Sequence, residues 1–303
     1  MDEFIRWAKE LILAEKIHVG ISTCPNDTFA FHGLMNGEVD CRGFDFDVEL
    51  IDIQQLNQRL FRGDFDIAKT SFHAALLLGD ETWVLPSGSA LGFGVGPLLL
   101  AARPEEQPEN QSQTTLCPGE HTTATLLFKL FYPQTTRLEH CVFSEIMPRL
   151  QRQTADFGVC IHEGRFTWEQ ENLARVIDLG TRWEQVTNGP LPLGGIVARR
   201  ALGTEKATRI QAVLRDSLEF GLANPQAALP TMRTYAQEFD DDVLMQHVDL
   251  YVNDWTIDLG DVGCQALEQL SLRAREIGLV ASTARALEIL EYDHGSDHTQ
   301  GSL

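Results

Sequence analysis

No stretch of this sequence approaches the roughly 18 consecutive apolar residues that a membrane-spanning helix requires. Positive charge is also scarce: 24 Lys and Arg stand against 44 Asp and Glu, a formal net charge of -20. That surface argues against nucleic acid or an anionic membrane as partner. It leaves room for a small anionic substrate, because a cleft can be locally positive on an acidic protein. The six cysteines, Cys24, Cys41, Cys117, Cys141, Cys160 and Cys264, show neither CxxC pairs nor framework spacing. Such usage suits reduced thiols better than disulfides or zinc. The N-terminus lacks a basic region followed by a long apolar core, so it does not read as a secretory signal. A cytoplasmic protein is the expectation.

What the chain does have is enough apolar residue, 43% of 303 positions, to build two lobes, each with its own core. Residues 1–16 read as an amphipathic helix with Phe4, Ile5, Ala8, Leu11 and Ile12 on one stripe. That stripe is expected to pack on the first lobe or on a partner subunit, which leaves a homodimer open. Residues 16–22 alternate as a strand, and 44–50 repeat the pattern before a helix at 53–61. Residues 101–198 are expected to form the second lobe, after a Pro- and Glu-rich connection at 103–113. The first lobe is then discontinuous, 1–100 plus 199–303, and from Gly203 onward it is mostly helical.

Four places carry chemistry. Ser22-Thr-Cys-Pro-Asn-Asp-Thr28 joins a strand to a helix, and Asn26, Asp27 and Thr28 are all good N-cap residues. Lys69, Thr70 and Ser71 follow a short apolar strand, where they can supply charge and hydroxyl donors to a ligand or cap the next helix. Thr122, Thr123 and Ala124 open a helix after a second Cys-Pro loop. Finally, 155–161 reads as a buried strand in which Gly158 permits close approach, and His162, Glu163 and Arg165 stand just past its end. In open α/β sheets ligands bind at that carboxyl edge, and imidazole is the side chain best suited to general-base work near neutrality. Glycines 92, 94 and 96 alternate, yet Pro97 opens a strand where a dinucleotide fingerprint needs a helix. That run is expected as a close-packed loop.

At Ser22-Thr-Cys-Pro-Asn-Asp-Thr-Phe29, Asp66-Ile-Ala-Lys-Thr-Ser71, Gly94-Val-Gly-Pro97, His121-Thr-Thr-Ala124 and Ile161-His-Glu-Gly-Arg-Phe-Thr-Trp168, the sequence closely resembles the 1,4-dihydroxy-6-naphthoate synthases of the futalosine route to menaquinone. The resemblance runs from about Ile17 to Val280. It implies a two-lobed α/β fold of the type II periplasmic-binding-protein kind, with two crossover strands and a cleft between lobes. It also implies a lyase acting on cyclic dehypoxanthine futalosine, with no metal and no organic cofactor. His162 matches the family's proposed base; Lys69, Thr70, Ser71, Thr123 and Ala124 match positions lining its pocket, and Asn26 and Asp27 fall in its signature loop. Two other readings share this architecture: the chorismate dehydratase of the same pathway, and a non-catalytic solute-binding protein.

Overall fold

The computed structural model describes residues 14–162, 164–236 and 240–291. The stripe from Phe4 to Ile12, the polar end at 293–303 and Glu163 lie outside the described residues. Strand β1 (Glu15–Ile21) buries Ile17, Val19 and Ile21, while His18 on its other face is exposed. This is the period-two pattern of a strand with one face in a core. Strand β2 (Phe44–Leu50) runs parallel to it with Val19 opposite Val48. Strand β3 (Ile67–Ser71) is parallel on the other side, and every one of its residues is buried. Short strands β4 (Thr82–Val84) and β5 (Ala90–Gly92) complete the first sheet together with β11 (Leu191–Arg199), which is antiparallel to β3, β4 and β5.

The second sheet is built from β6 (Leu98–Ala101), β7 (Thr114–Cys117), β8 (Arg137–His140), β9 (Phe157–Cys160) and β10 (Ala174–Asp178), in the order β10-β6-β9-β7-β8. The chain therefore leaves the first sheet after Gly92 and returns to it at Leu191. One apolar cluster runs unbroken from Leu56, Leu60 and Phe72 beside the first sheet to Leu126, Leu127 and Phe157 beside the second. A separate cluster packs Ile17, Val19 and Ile21 against Ile210, Val213, Leu214 and Leu218 of the helix Thr204–Ala223. Those four residues recur at helical spacing and so share one face of that helix.

Helices follow in the C-terminal part at Pro225–Tyr235, Asp241–Tyr251, Asp254–Ile257 and Gly260–Glu276. Among the described residues no helix is long and apolar enough to cross a membrane. Two local expectations fail for identifiable reasons. From sequence, 182–195 is expected as a loop, but Leu179–Thr187 is a helix whose N-terminus is capped by Asp178, accepting from the N–H groups of Gly180 and Thr181. Trp183, fully buried, anchors that helix. Asn26, Asp27 and Thr28 are not caps either: the helix Pro25–Ala30 starts at Pro25 with Cys24 as its N-cap and no side-chain cap bond. Proline suits a first helical position because the missing N–H would find no intrahelical acceptor there, which frees the polar side chains for other work.

Two close approaches require glycine. The glycine-rich loop packs backbone to backbone on the helix Leu179–Thr187, where a Cβ on Gly96 would lie 2.2 Å from the Cα of Gly180. In β9, a Cβ on Gly158 would lie 2.4 Å from Cγ2 of Ile146, on the helix Phe143–Gln151 that covers the sheet. Gly158→Ala should therefore push that helix away from β9 and destabilise the fold by about 1–3 kcal/mol. Urea unfolding measures this, and an unchanged midpoint would show that the helix yields without cost.

Candidate active site

The carboxyl ends of four strands meet at one cleft, as expected for open α/β sheets. β1 delivers Ser22 and Cys24, and β3 delivers Lys69, Thr70 and Ser71; β7 leads to Thr122, and β9 to His162. All nine site residues expected from sequence line this single cavity. Asn26, Asp27, Lys69, Thr70 and Ser71 come from the first lobe, and Thr122, Thr123, Ala124 and His162 from the second.

The first-lobe wall is organised around a buried ion pair. Lys69 Nζ stands 2.6 Å from Asp27 Oδ1, with the two side chains only 7% and 4% exposed. Lys69 also donates to the carbonyl of Gly88 at 3.1 Å. Asp27 further accepts from Ser22 Oγ at 2.5 Å and from Asn26 Nδ2 at 3.0 Å. The positive charge expected to serve a ligand is thus already neutralised by the protein. Asp27, whose part was not evident from its place in the loop, is the counter-ion.

Hydroxyl groups are equally committed. Thr70 Oγ1 donates to Asn57 Oδ1 at 2.9 Å, and the same oxygen accepts the N–H of Ser71 at 3.1 Å. Asn57 Nδ2 donates to Ser71 Oγ at 3.2 Å, so the Ser71 hydroxyl proton remains available to a ligand. Ser71 stands at the N-cap position of the helix Phe72–Leu77 without a side-chain cap bond. Across the cleft Thr122 caps the helix Thr123–Phe131, accepting from Thr125 N, and its own hydroxyl is directed to Gly119 O at 3.1 Å. Thr123 Oγ1 donates to Leu193 O on β11 at 2.6 Å. What this helix offers a ligand is therefore the N–H groups of Thr123 and Ala124, in a first turn where no intrahelical acceptor reaches them.

His162 sits in the left-handed region, with φ 55°, a conformation uncommon for a side-chain-bearing residue and concentrated at functional sites. The turn continues through Arg165 N, which donates to His162 O at 3.1 Å. The ring meets Cys24 of the facing lobe, with Sγ 3.4 Å from Nδ1 and 3.7 Å from Nε2, and takes the edge of Phe143 at 4.7 Å between centroids. The left-handed backbone brings the ring to Cys24, in the cavity that Thr122, Thr123 and Ala124 also line. Arg165, also at the cleft, is paired with Asp178 at 2.7 Å and donates to the carbonyl of Gly96, which ties the strand end to the glycine loop.

The helix Asp241–Tyr251 adds two residues that the sequence alone does not single out, His247 and Tyr251. They stand one turn apart with rings 4.5 Å apart, beside the core residues Leu244 and Val248. A polar ring pair flanking an apolar stripe at the same helical spacing is the signal available, although Tyr251 by itself reads as packing. His247 Nε2 lies 3.1 Å from Asn26 Oδ1. Burial, with the nearby charges of His162 and Lys69, pushes its pKa down to about 3. Among the described residues no group of three or more His, Cys, Asp or Glu is arranged to hold a metal ion, and the six cysteines are free thiols.

The family model described as menaquinone biosynthesis matches residues 17–276. The chain belongs to that family. It is 38% identical over 272 residues to the 1,4-dihydroxy-6-naphthoate synthase of Streptomyces coelicolor, covering 88% of this chain and 95% of the relative. It is also 38% identical over 273 residues to the enzyme of the same name from Thermus thermophilus, covering 90% and 99%. In fold it is similar to the periplasmic aliphatic sulphonate binding protein SsuA from Escherichia coli, with a TM-score of 0.61, 13% identity and coverage of 91% and 94%. The two-lobed α/β architecture is thus the periplasmic-binding-protein-like fold, here carrying an enzyme of menaquinone biosynthesis.

Two predictions follow from how the menaquinone-family cleft is held together. Removing one partner of a buried ion pair strands the other charge. Lys69→Ala should therefore cost about 3–5 kcal/mol of stability, measured by denaturant unfolding, and a loss confined to substrate affinity would contradict the pairing role. The second concerns His73, buried where the lobes touch, with Nδ1 3.2 Å from Thr122 O. Burial pushes its pKa down to about 4. The unfolded chain then binds a proton that the folded chain refuses, so stability is intact above the ordinary histidine range and falls as pH drops from there toward 4. The penalty is about 1 kcal/mol one pH unit below the ordinary histidine value. His73→Asn, which keeps a donor near Nδ1, should flatten this part of the melting-temperature profile, and an unchanged profile would remove His73 as its source.

Proposed function

We propose that this chain is a carbon–carbon lyase that converts cyclic dehypoxanthine futalosine to 1,4-dihydroxy-6-naphthoate, with His162 as the base that starts the reaction. The observation that carries the reading is His162 itself. It is an imidazole held in a left-handed turn at the carboxyl end of β9 and facing the opposite lobe, in a chain similar along nearly its whole length to naphthoate synthases.

Cleaving a carbon–carbon bond beside a carbonyl needs a base to take a hydroxyl proton. The bonding pair then moves toward the carbonyl as an enolate, and the new ring gains aromatic stabilisation without a cofactor. His162 supplies the base. The substrate's carboxylate is best accommodated by three donors that line the same cavity, the Ser71 hydroxyl and the N–H groups of Thr123 and Ala124. The bond from His73 N to Thr123 Oγ1, 3.4 Å, brings those two segments together. The helix N-terminus favours an anion there, and Asn57 orients the serine. Lys69 contributes as the partner of Asp27.

Incubating the purified protein with cyclic dehypoxanthine futalosine and following naphthoate by absorbance tests the activity; binding without turnover would favour a solute-binding role. If turnover is seen, His162→Ala should fold and bind substrate while kcat falls by about 10²–10⁴-fold. A near-parental rate in that variant would pass the role of base to another group, with Glu163 the first to examine.

A further inference from the structure

The cleft contains a second imidazole whose hydrogen bonds determine which nitrogen carries its proton. Asp27 is fixed by Lys69 at 2.6 Å and Ser22 at 2.5 Å. As a carboxylate it only accepts, so the amide of Asn26 must present Nδ2 to it, at 3.0 Å. The Asn26 oxygen is then left facing His247 Nε2 at 3.1 Å, and that nitrogen must be the donor. Reversing the amide would set oxygen against carboxylate. His247 is neutral in this setting, its pKa pushed down to about 3 by burial and by the charges of His162 and Lys69. A neutral ring protonated at Nε2 has a bare lone pair on Nδ1. Among the described residues nothing donates to that nitrogen, and His247 lines the cleft.

We infer that His247 contacts the substrate: its bare Nδ1 accepts a hydrogen bond from a hydroxyl of the sugar-derived part, holding that part in register with His162. The inference rests on the lyase reading above. His162 stands on the second lobe and His247 on the first, and both line the same cavity. A polyhydroxylated fragment between them would meet an acceptor from each side. One would take the reacting proton, and the other would orient a neighbouring hydroxyl without receiving its proton. The relay Lys69–Asp27–Asn26 then serves to fix the tautomer of His247. A histidine serving structure alone would need only its bond to Asn26.

Two substitutions separate these roles. Glutamine places an amide nitrogen near the position of Nε2, so His247→Gln keeps the link to Asn26 and loses the acceptor at Nδ1. Asparagine places an amide oxygen near the position of Nδ1, so His247→Asn keeps the acceptor and loses the link. With both variants shown folded by circular dichroism and melting, kcat/KM for cyclic dehypoxanthine futalosine should fall about 10–100-fold in His247→Gln. It should stay within about fivefold of the parent in His247→Asn. A near-parental His247→Gln, or a ranking in which it exceeds His247→Asn, would overturn the inference. A parent protein that does not turn this compound over would instead overturn the lyase reading. Independently of turnover, ¹⁵N spectra of histidine-labelled parent protein, with His247 assigned by its loss in the variants, should show a neutral ring protonated at Nε2 at neutral pH. Protonation at Nδ1 would contradict the inference whatever the rates.

Discussion

The ion pair between Lys69 and Asp27 is the contact on which the first-lobe wall of the cleft depends. Each charge would be costly to bury alone, and the pair is supported by further hydrogen bonds: Gly88 O for the lysine, Ser22 and Asn26 for the carboxylate. The pair joins the centre of the first sheet to the helix Pro25–Ala30. Through Asn26 it reaches a residue 221 positions away, His247. A charge that looks free in the sequence is therefore part of the frame, and the same cavity is also lined by two imidazoles, the Ser71 hydroxyl and the first turn of the helix Thr123–Phe131.

The second lobe contributes through backbone geometry more than through charge. Its helix Thr123–Phe131 is tied to the first lobe by Thr123 on β11 and by His73 on Thr122, and a continuous apolar core lies behind those ties. His162 is aimed by the left-handed turn that ends β9. Residues of both lobes thus line one cavity in a chain that carries a net charge of -20.

Much of this arrangement is legible in the sequence because it is local. Alternation marks β1 and β2, helical spacing marks the stripe from Ile210 to Leu218, and an apolar run ending in polar residues marks β3 and β9 and points to Lys69–Ser71 and His162. What is not legible depends on distant partners. Nothing beside Lys69 says that Asp27 neutralises it, and nothing near Asn57 says that it orients Thr70 and Ser71. His247 lies in a helical region whose pattern describes a core, and only the fold brings it to Asn26 and the cavity. The helix Leu179–Thr187 is hidden for another reason. Its glycine, threonines and flanking Asn188 disfavour helix, and it forms because Asp178 caps it and Trp183 buries against the core.

The central claim is that the two lobes bind one ligand with its carboxylate at Ser71, Thr123 and Ala124 and its reacting end between His162 and His247. A crystal structure of the protein with bound 1,4-dihydroxy-6-naphthoate tests this most directly. The account predicts the carboxylate within hydrogen-bond distance of the Ser71 hydroxyl and the N–H groups of Thr123 and Ala124, with the dihydroxy ring on the side of His162. A naphthoate bound with its carboxylate against His162, or outside the inter-lobe cleft, would contradict it.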